Sequence, residues 1–245
     1  MSAEIRATVI VPTLNEEKLL GRMLEQFTPE LKRRFALEVV VSDGGSTDRT
    51  LEIARAAADR VVRNDDGSRQ TISIGKNRGA EQASGEILIF LPADTLLQET
   101  ESFLSAVLDS AADPTVAAVT CSVRVNPPEE TRADRLYHGF YNWFFVMMNR
   151  VGMGMGRGEC HVMRAEVFRR SGGYAETIAA GEDYDLFSRL KRLGRIVFLR
   201  NVWVYESPRR YRRFGYLRIT GIWFTNFLSI FFLHRSLRRE WTPIR

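Results

Sequence analysis

Val39-Val40-Val41 runs without a break into Ser42-Asp43-Gly44-Gly45-Ser46-Thr47-Asp48. Three consecutive β-branched residues suit a strand buried on both faces, and the serine, aspartate and glycines after them are turn formers. Ser46, Thr47 or Asp48 then offers a side-chain oxygen to cap a helix beginning near Arg49. A strand that ends in a tight acidic turn and feeds a helix restricts the chain to sheets whose strands alternate with helices. Ligands of such sheets sit beyond the carboxyl ends of the strands. Asp43 would stand there as an acceptor for the imide N–H of a base or for a ribose hydroxyl. An ordinary strand-to-helix turn is the alternative reading of this segment alone.

Two further strands end in the same way. Ala7-Thr8-Val9-Ile10-Val11-Pro12 is closed by proline, and Thr13-Leu14-Asn15-Glu16-Glu17 predicts a cap and an acidic first helical turn. Glu86-Ile87-Leu88-Ile89-Phe90-Leu91 stops at Pro92-Ala93-Asp94-Thr95, with a carboxylate just past the strand. Its approach, residues 77–85, predicts a helix that Gly85 ends. Strands alternating with amphipathic helices through the first half argue for a mostly parallel, Rossmann-like α/β sheet with helices on both faces.

These segments carry a specific resemblance. Val-Ile-Val-Pro-Thr-Leu-Asn-Glu at 9–16, Val-Ser-Asp-Gly-Gly-Ser-Thr-Asp at 41–48 and Asn-Arg-Gly-Ala-Glu-Gln-Ala-Ser-Gly-Glu at 77–86 occur in order. Gly172-Gly173-Tyr174 then precedes Gly181-Glu182-Asp183-Tyr184-Asp185-Leu186. Over roughly residues 5–200 the chain resembles a family 2 glycosyltransferase of the GT-A fold. The resemblance implies an inverting enzyme that moves a sugar from a nucleotide-diphosphate donor, UDP-sugar favoured, to an acceptor hydroxyl. It places Thr13, Glu16, Asp43, Arg78 and Asp94 around the donor, with Lys76 and Arg69 as weaker candidates. It assigns the catalytic base to Asp183, with Glu182 beside it, and puts Asp185 and His161 on the acceptor side; for His161, simple packing is the alternative.

The family's metal site is Asp-X-Asp, whereas this chain has Pro92-Ala93-Asp94. Asp94 would hold Mg²⁺ or Mn²⁺ with help from the donor phosphates, as such ions often need only one or two carboxylates. Two other readings follow from the missing carboxylate: Asp94 caps a helix starting near Leu96 or Leu97, or the protein is a catalytically weakened nucleotide-sugar-binding or membrane-scaffold protein.

Departure of a nucleoside diphosphate builds negative charge that a cation must meet, and the attacking hydroxyl must lose a proton to a base within hydrogen-bond reach. Glu182, Asp183 and Asp185 precede Leu186, Leu190 and Leu193, whose spacing marks a buried helix face. The acids therefore fall at a helix N-terminus, where the dipole is expected to keep the base ionised and its pKa low. Favourable first-turn acids on a surface helix are the plainer alternative.

A chain of 245 residues with no repeat or linker suits one enzyme-sized domain, here 1–205, followed by a distinct segment, 206–245. That segment holds nine arginines against Glu206 and Glu240, a balance of +7 in a chain whose net charge is +5. Arg209, Arg210 and Arg212 are candidates for a lid over the diphosphate, because guanidinium forks match phosphate, with 207–210 as its hinge. The apolar run 219–233 is too short for the ~20 residues that span a bilayer and suits its interface instead. With the aromatic stretch 137–151 it predicts a peripheral protein on the inner face of the membrane and an acceptor of lipid-linked type; core packing or a homodimer contact is the alternative. Met1-Ser2-Ala3-Glu4 carries no secretion signal, so a cytoplasmic location is expected. Cys121 and Cys160 read as reduced thiols, and no nucleic-acid module is visible.

Overall fold

Alternation along each central strand decides which layer its side chains enter. In the computed structural model, which describes residues 4–65, 70–178 and 180–233, Val9 and Val11 face one core while Ile10 faces another. Ile87 and Ile89 likewise part from Leu88 and Phe90. Strands apolar on both sides need helices on both sides. In chain order the elements are β1 (Ala7–Thr13), α1 (Leu20–Leu24), α2 (Pro29–Phe35), β2 (Leu37–Asp43), α3 (Thr50–Ala57), β3 (Arg60–Arg63), α4 (Ile72–Glu81), β4 (Ile87–Phe90), β5 (Leu96–Leu97), α5 (Thr100–Ala112), β6 (Val116–Val125), α6 (Arg132–Arg150), β7 (His161–Arg164), α7 (Ala165–Arg170), α8 (Glu182–Leu190), β8 (Arg195–Glu206), α9 (Arg209–Phe214) and α10 (Tyr216–Leu233). Buried residues of α1 and α5 fill the first core, and those of α7 and α8 the second.

The strands form one sheet in the order β3-β2-β1-β4-β7-β6-β8-β5. β1 to β4 run parallel, as do β6 and β8; β7 enters antiparallel between β4 and β6, and β5 pairs antiparallel with β8. The chain leaves β1 toward β2 and β3, then returns to add β4 on the other side. A crevice therefore opens between the ends of β1 and β4, the place where open α/β sheets bind ligands.

Several local expectations change. No acidic first turn follows β1: the regular helix starts only at Leu20, and Asn15 takes a left-handed turn with φ 54°. Its backbone N–H donates to Ser46 Oγ at 2.8 Å and its Oδ1 accepts from Thr47 N at 2.7 Å, so the two strand-end loops are tied together. α4 ends at Glu81, well before Gly85. Gly85 is needed for contact, since a Cβ there would stand 2.5 Å from the Ala7 carbonyl carbon. Leu96 and Leu97 are the two residues of β5, paired with Tyr205 and Val204, so Asp94 caps no helix. Ser207 and Pro208 lead straight into α9, with Pro208 at its N-cap, so Arg209 and Arg210 stand in a helical first turn instead of a hinge.

Helix α4 lies on β1 through Gly79, where a Cβ would meet Ile10 Cγ2 at 2.4 Å. Ile10 is fully buried and has nowhere to retreat. Gly79→Ala is expected to cost about 1–3 kcal/mol by overpacking, read as a lower midpoint in thermal melting; an unchanged midpoint would show that the contact relaxes freely.

After β8, α9 and α10 fold back over the domain. Arg212 Nη1 donates to Asp134 Oδ1 at 3.0 Å and Arg212 Nη2 to the Glu129 carbonyl at 3.1 Å, while the Tyr216 hydroxyl also reaches Asp134. Burial alone would raise the Asp134 pKa, but donors from Arg212, Thr131 and Tyr216 outweigh it and hold the carboxyl far below its ordinary range. No helix of the described residues is long and apolar enough to cross a membrane.

Candidate active site

The crevice between β1 and β4 is the floor of a cleft of about 400 Å³, within the range of small-molecule sites. Its walls come from Pro12, Thr13, Leu14 and Glu16 at the end of β1 and just past it, Gly44 after β2, Gln70 to Ile72, Gly75 and Lys76 in and before the first turns of α4, Pro92, Ala93 and Asp94 after β4, Arg157 to Glu159, Gly181 to Tyr184 at the start of α8, and Glu206, Arg209 and Arg210 at the end of β8 and in α9. Phe145 of α6 and Trp223 and Asn226 of α10 complete it.

Asp94 and Glu16 meet on one arginine. Arg209 Nη2 donates to Glu16 Oε1 at 2.8 Å and to Asp94 Oδ2 at 3.1 Å, and Nη1 donates to Glu16 Oε2 at 3.0 Å. Two carboxylates from neighbouring strand ends therefore converge on one cationic nitrogen. Burial raises the Asp94 pKa, Arg209 lowers it and Glu16 raises it again, leaving it above the ordinary value. Such a point can accept a divalent ion in place of the guanidinium, with phosphate oxygens as further ligands. Among the described residues no group of three or more His, Cys, Asp or Glu side chains is placed to hold a metal unaided, so the donor would have to supply part of the coordination.

Across the cleft, α8 presents Glu182 and Asp183. Glu182 accepts from Lys76 Nζ at 2.9 Å, and both groups are buried. Lys76 also lies 4.6 Å from the Tyr174 ring centroid. Asp183 Oδ1 accepts from the Tyr184 N–H at 3.0 Å. Its pKa is pushed up to about 7, first by burial and then by the charge of Glu182, against the opposing pull of Lys76. The expectation that the helix dipole keeps this carboxyl strongly acidic is therefore corrected: desolvation wins over the helix terminus.

Other candidates sit elsewhere. Asp43 is fully buried and does not line the cleft; its carboxylate accepts from Gly45 N at 3.0 Å, Ser46 N at 2.9 Å and Thr13 Oγ1 at 3.3 Å, and from the Ser46 hydroxyl. It shapes the turn whose Gly44 faces the cleft, instead of offering an open acceptor. Arg78 stands behind the wall, where it bonds Asn64 and donates to Gln70 Oε1 at 3.1 Å. His161 is fully buried on β7 with Nδ1 2.7 Å from the Tyr174 hydroxyl, so packing describes it and acceptor contact does not. Asp185 accepts from Arg189 Nε at 3.0 Å and braces α8 outside the cleft. Arg212 is committed to Asp134, away from the cleft, so of the three lid arginines only Arg209 and Arg210 reach it. Arg69 and the arginines at 235, 238, 239 and 245 lie outside the described residues.

Arg157, Glu159 and Glu206 are cleft residues that the sequence does not single out: Arg157 and Glu159 lie in the glycine-rich stretch before His161, and Glu206 counts in the sequence only as an acid at the start of the basic C-terminal segment. Arg157 Nε donates to Glu159 Oε2 at 3.3 Å, and the Tyr211 hydroxyl donates to Glu206 Oε1 at 2.8 Å. Burial and the charge of Glu159 push Glu206 well above the usual carboxylate range.

The model of the Glycosyl transferase family 2 matches residues 8–172. A validoxylamine A glucosyltransferase of Streptomyces hygroscopicus subsp. limoneus is 36% identical over 117 residues, 46% of this chain and 25% of the relative. The succinoglycan biosynthesis protein ExoA of Rhizobium meliloti is 30% identical over 195 residues, 76% of this chain and 58% of the relative. The chain thus spans well under two thirds of either relative. A mannosyltransferase from Pyrobaculum calidifontis in complex with GDP-Man and Mn²⁺ superposes with a TM-score of 0.66 at 27% identity, over 84% of this chain and 58% of that one. Glucosyl-3-phosphoglycerate synthase from Mycobacterium tuberculosis, bound to Mn²⁺, UDP and glucosyl-3-phosphoglycerate, shares the fold with a TM-score of 0.62 at 18% identity, over 95% and 81% of the two chains.

Proposed function

We propose, from the premise that this chain belongs to glycosyl transferase family 2, that it transfers a sugar with inversion from a nucleoside-diphosphate donor to an acceptor hydroxyl. One observation carries the reading: a cleft at the switch point of a GT-A sheet holds two carboxylates that share the Arg209 guanidinium, Glu16 and Asp94, together with a carboxyl poised near neutrality, Asp183.

In this reading the nucleoside lies along residues 12–14, Gly44, Gln70 and Thr71, and the diphosphate lies between Asp94 and the guanidinium groups of Arg209 and Arg210. The binding of Mn²⁺ by the Pyrobaculum and Mycobacterium proteins supports a divalent ion at Asp94, where it would neutralise diphosphate charge. Asp183 takes the proton of the acceptor hydroxyl as its oxygen bonds to the anomeric carbon from the face opposite the diphosphate. The bond from that carbon to the diphosphate oxygen breaks, and its electron pair leaves with the nucleotide. Arg209 and Arg210 receive that charge.

The donor is tested by a thermal-shift panel of UDP-, GDP- and dTDP-sugars with Mn²⁺, because a ligand of the native state raises the midpoint by mass action. One nucleotide class is expected to raise the midpoint by several degrees and to be slowly hydrolysed; UDP is favoured on the family resemblance. No shift and no hydrolysis with any of them would overturn the reading.

An amphipathic acceptor at a membrane surface is supported by exposed Leu136, Phe140 and Trp143 on α6 and Leu217 and Phe224 on α10. Both helices also reach the cleft, through Phe145 and Trp223. Apolar side chains beside arginines suit anionic bilayer interfaces. Flotation with anionic liposomes, and less with neutral ones, is the expected result; no flotation with either would remove the membrane from the reading.

A further inference from the structure

Arg157 takes no part in the chemistry above, yet it is 3% exposed and stands in the cleft wall. Its backbone is pinned from both sides: its N–H donates to Thr120 Oγ1 at 3.1 Å and its carbonyl accepts from Cys160 N at 3.1 Å. The side chain is held by one hydrogen bond, Nε to Glu159 at 3.3 Å. Nη2 lies 3.7 Å from Glu206 Oε1, beyond hydrogen-bond range, and neither Nη1 nor Nη2 has a hydrogen-bond partner. A buried charged donor left unfilled is costly, and native proteins seldom keep one without a role.

The position of this guanidinium narrows the ligand. Its neighbour Gly158 packs beside the base, since a Cβ there would lie 3.5 Å from Asp183 Oδ2. Glu159 lines the same cleft as Asp94. The segment 157–159 therefore bridges the two ends of the reaction axis, and an inverting displacement sets the sugar ring between those ends. A free anion would have to settle among Glu159, Glu182, Asp183, Glu206 and Asp94, which share the cleft. A polyhydroxyl ring fits better: its oxygens accept from guanidinium nitrogens while its hydroxyl hydrogens donate to carboxylates.

We propose that Arg157 binds hydroxyl groups of the transferred sugar, held in place by Glu159, and that this pair makes the enzyme selective among sugars attached to the same nucleotide. The proposal rests on the donor reading above. It assigns Arg157 to substrate recognition and leaves proton transfer to Asp183.

The test is calorimetric titration of UDP, GDP, UDP-glucose, UDP-galactose, UDP-N-acetylglucosamine and GDP-mannose, each with Mn²⁺, into wild type, Arg157→Lys and Arg157→Gln. Both variants are expected to keep the Kd of the bare diphosphate within about twofold and to weaken the preferred nucleotide sugar about tenfold or more, the scale of one lost charged hydrogen bond. Discrimination between sugars on one nucleotide should shrink in parallel. Should loss of the buried cation unfold the Gln variant, Arg157→Lys keeps the charge and lacks the fork, and carries the test alone. Equal weakening of diphosphate and nucleotide sugar would overturn the proposal in favour of diphosphate binding or scaffolding, as would an unchanged ratio. A wild type that binds none of the six would remove the donor reading and this proposal with it, a result distinct from one seen only in the variants.

Discussion

Asp183→Asn is expected to lower the transfer rate about 10²–10⁴-fold, the usual contribution of a positioned general base, while the nucleotide affinity measured by calorimetry stays within about twofold. The wild-type rate should rise with pH and level off above about 7, because burial and the Glu182 charge keep a proton on Asp183 below that point. The residual rate of the variant should show no such step. Its thermal stability has a sign of its own. A carboxyl whose pKa is raised on folding penalises the native state above its unfolded value, increasingly so until the pH passes the folded value. Asparagine removes that penalty, so the variant should melt higher than wild type at pH 8 and by a smaller margin at pH 5. Equal loss of binding and transfer would make Asp183 structural, and wild type that binds nucleotide sugars without turning them over would favour a weakened binding protein.

The strands were legible because a doubly buried sheet writes its signal into short apolar runs: residues 39–41 and 87–90 are strand in the structure as their composition predicts. The order of the cleft-forming loops followed from turn chemistry at three strand ends. What the sequence could not carry was competition between local signals and tertiary burial. Asp43 reads as an exposed acceptor because it ends a strand, yet register places it opposite Thr13, and its own turn consumes it. Asp183 reads as a strong acid because it starts a helix, yet it faces a cleft that α6, α10 and the segment 157–159 also line, and desolvation there reverses the shift. Arg157 and Glu206 have no local signature at all. They reach the cleft because β6, β7 and β8 lie side by side, a pairing between residues about 80 positions apart, such as Ser122 with Trp203.

Lys76→Met is expected to be the most destabilising single change at the site. Lys76 and Glu182 are both buried and bonded at 2.9 Å, one from α4 and the other from α8. Removing one partner of such a pair strands the other charge, which costs about 3–5 kcal/mol, or roughly 6–20 °C in midpoint for a domain of this size. The double variant Lys76→Met, Glu182→Gln strands no charge and should recover most of the loss. That comparison separates the ion pair from the contact of the Lys76 ammonium with the Tyr174 ring, which both variants lack equally. Catalysis supplies an independent readout at temperatures where the single variant stays folded. Lys76 pulls the Asp183 pKa down while Glu182 pushes it up, so losing the lysine alone should move the pH–rate step above its wild-type position. Losing both should bring the step back toward it. A step that stays fixed in the single variant would mean that Asp183 is not the titrating base, even if the melting data behave as described.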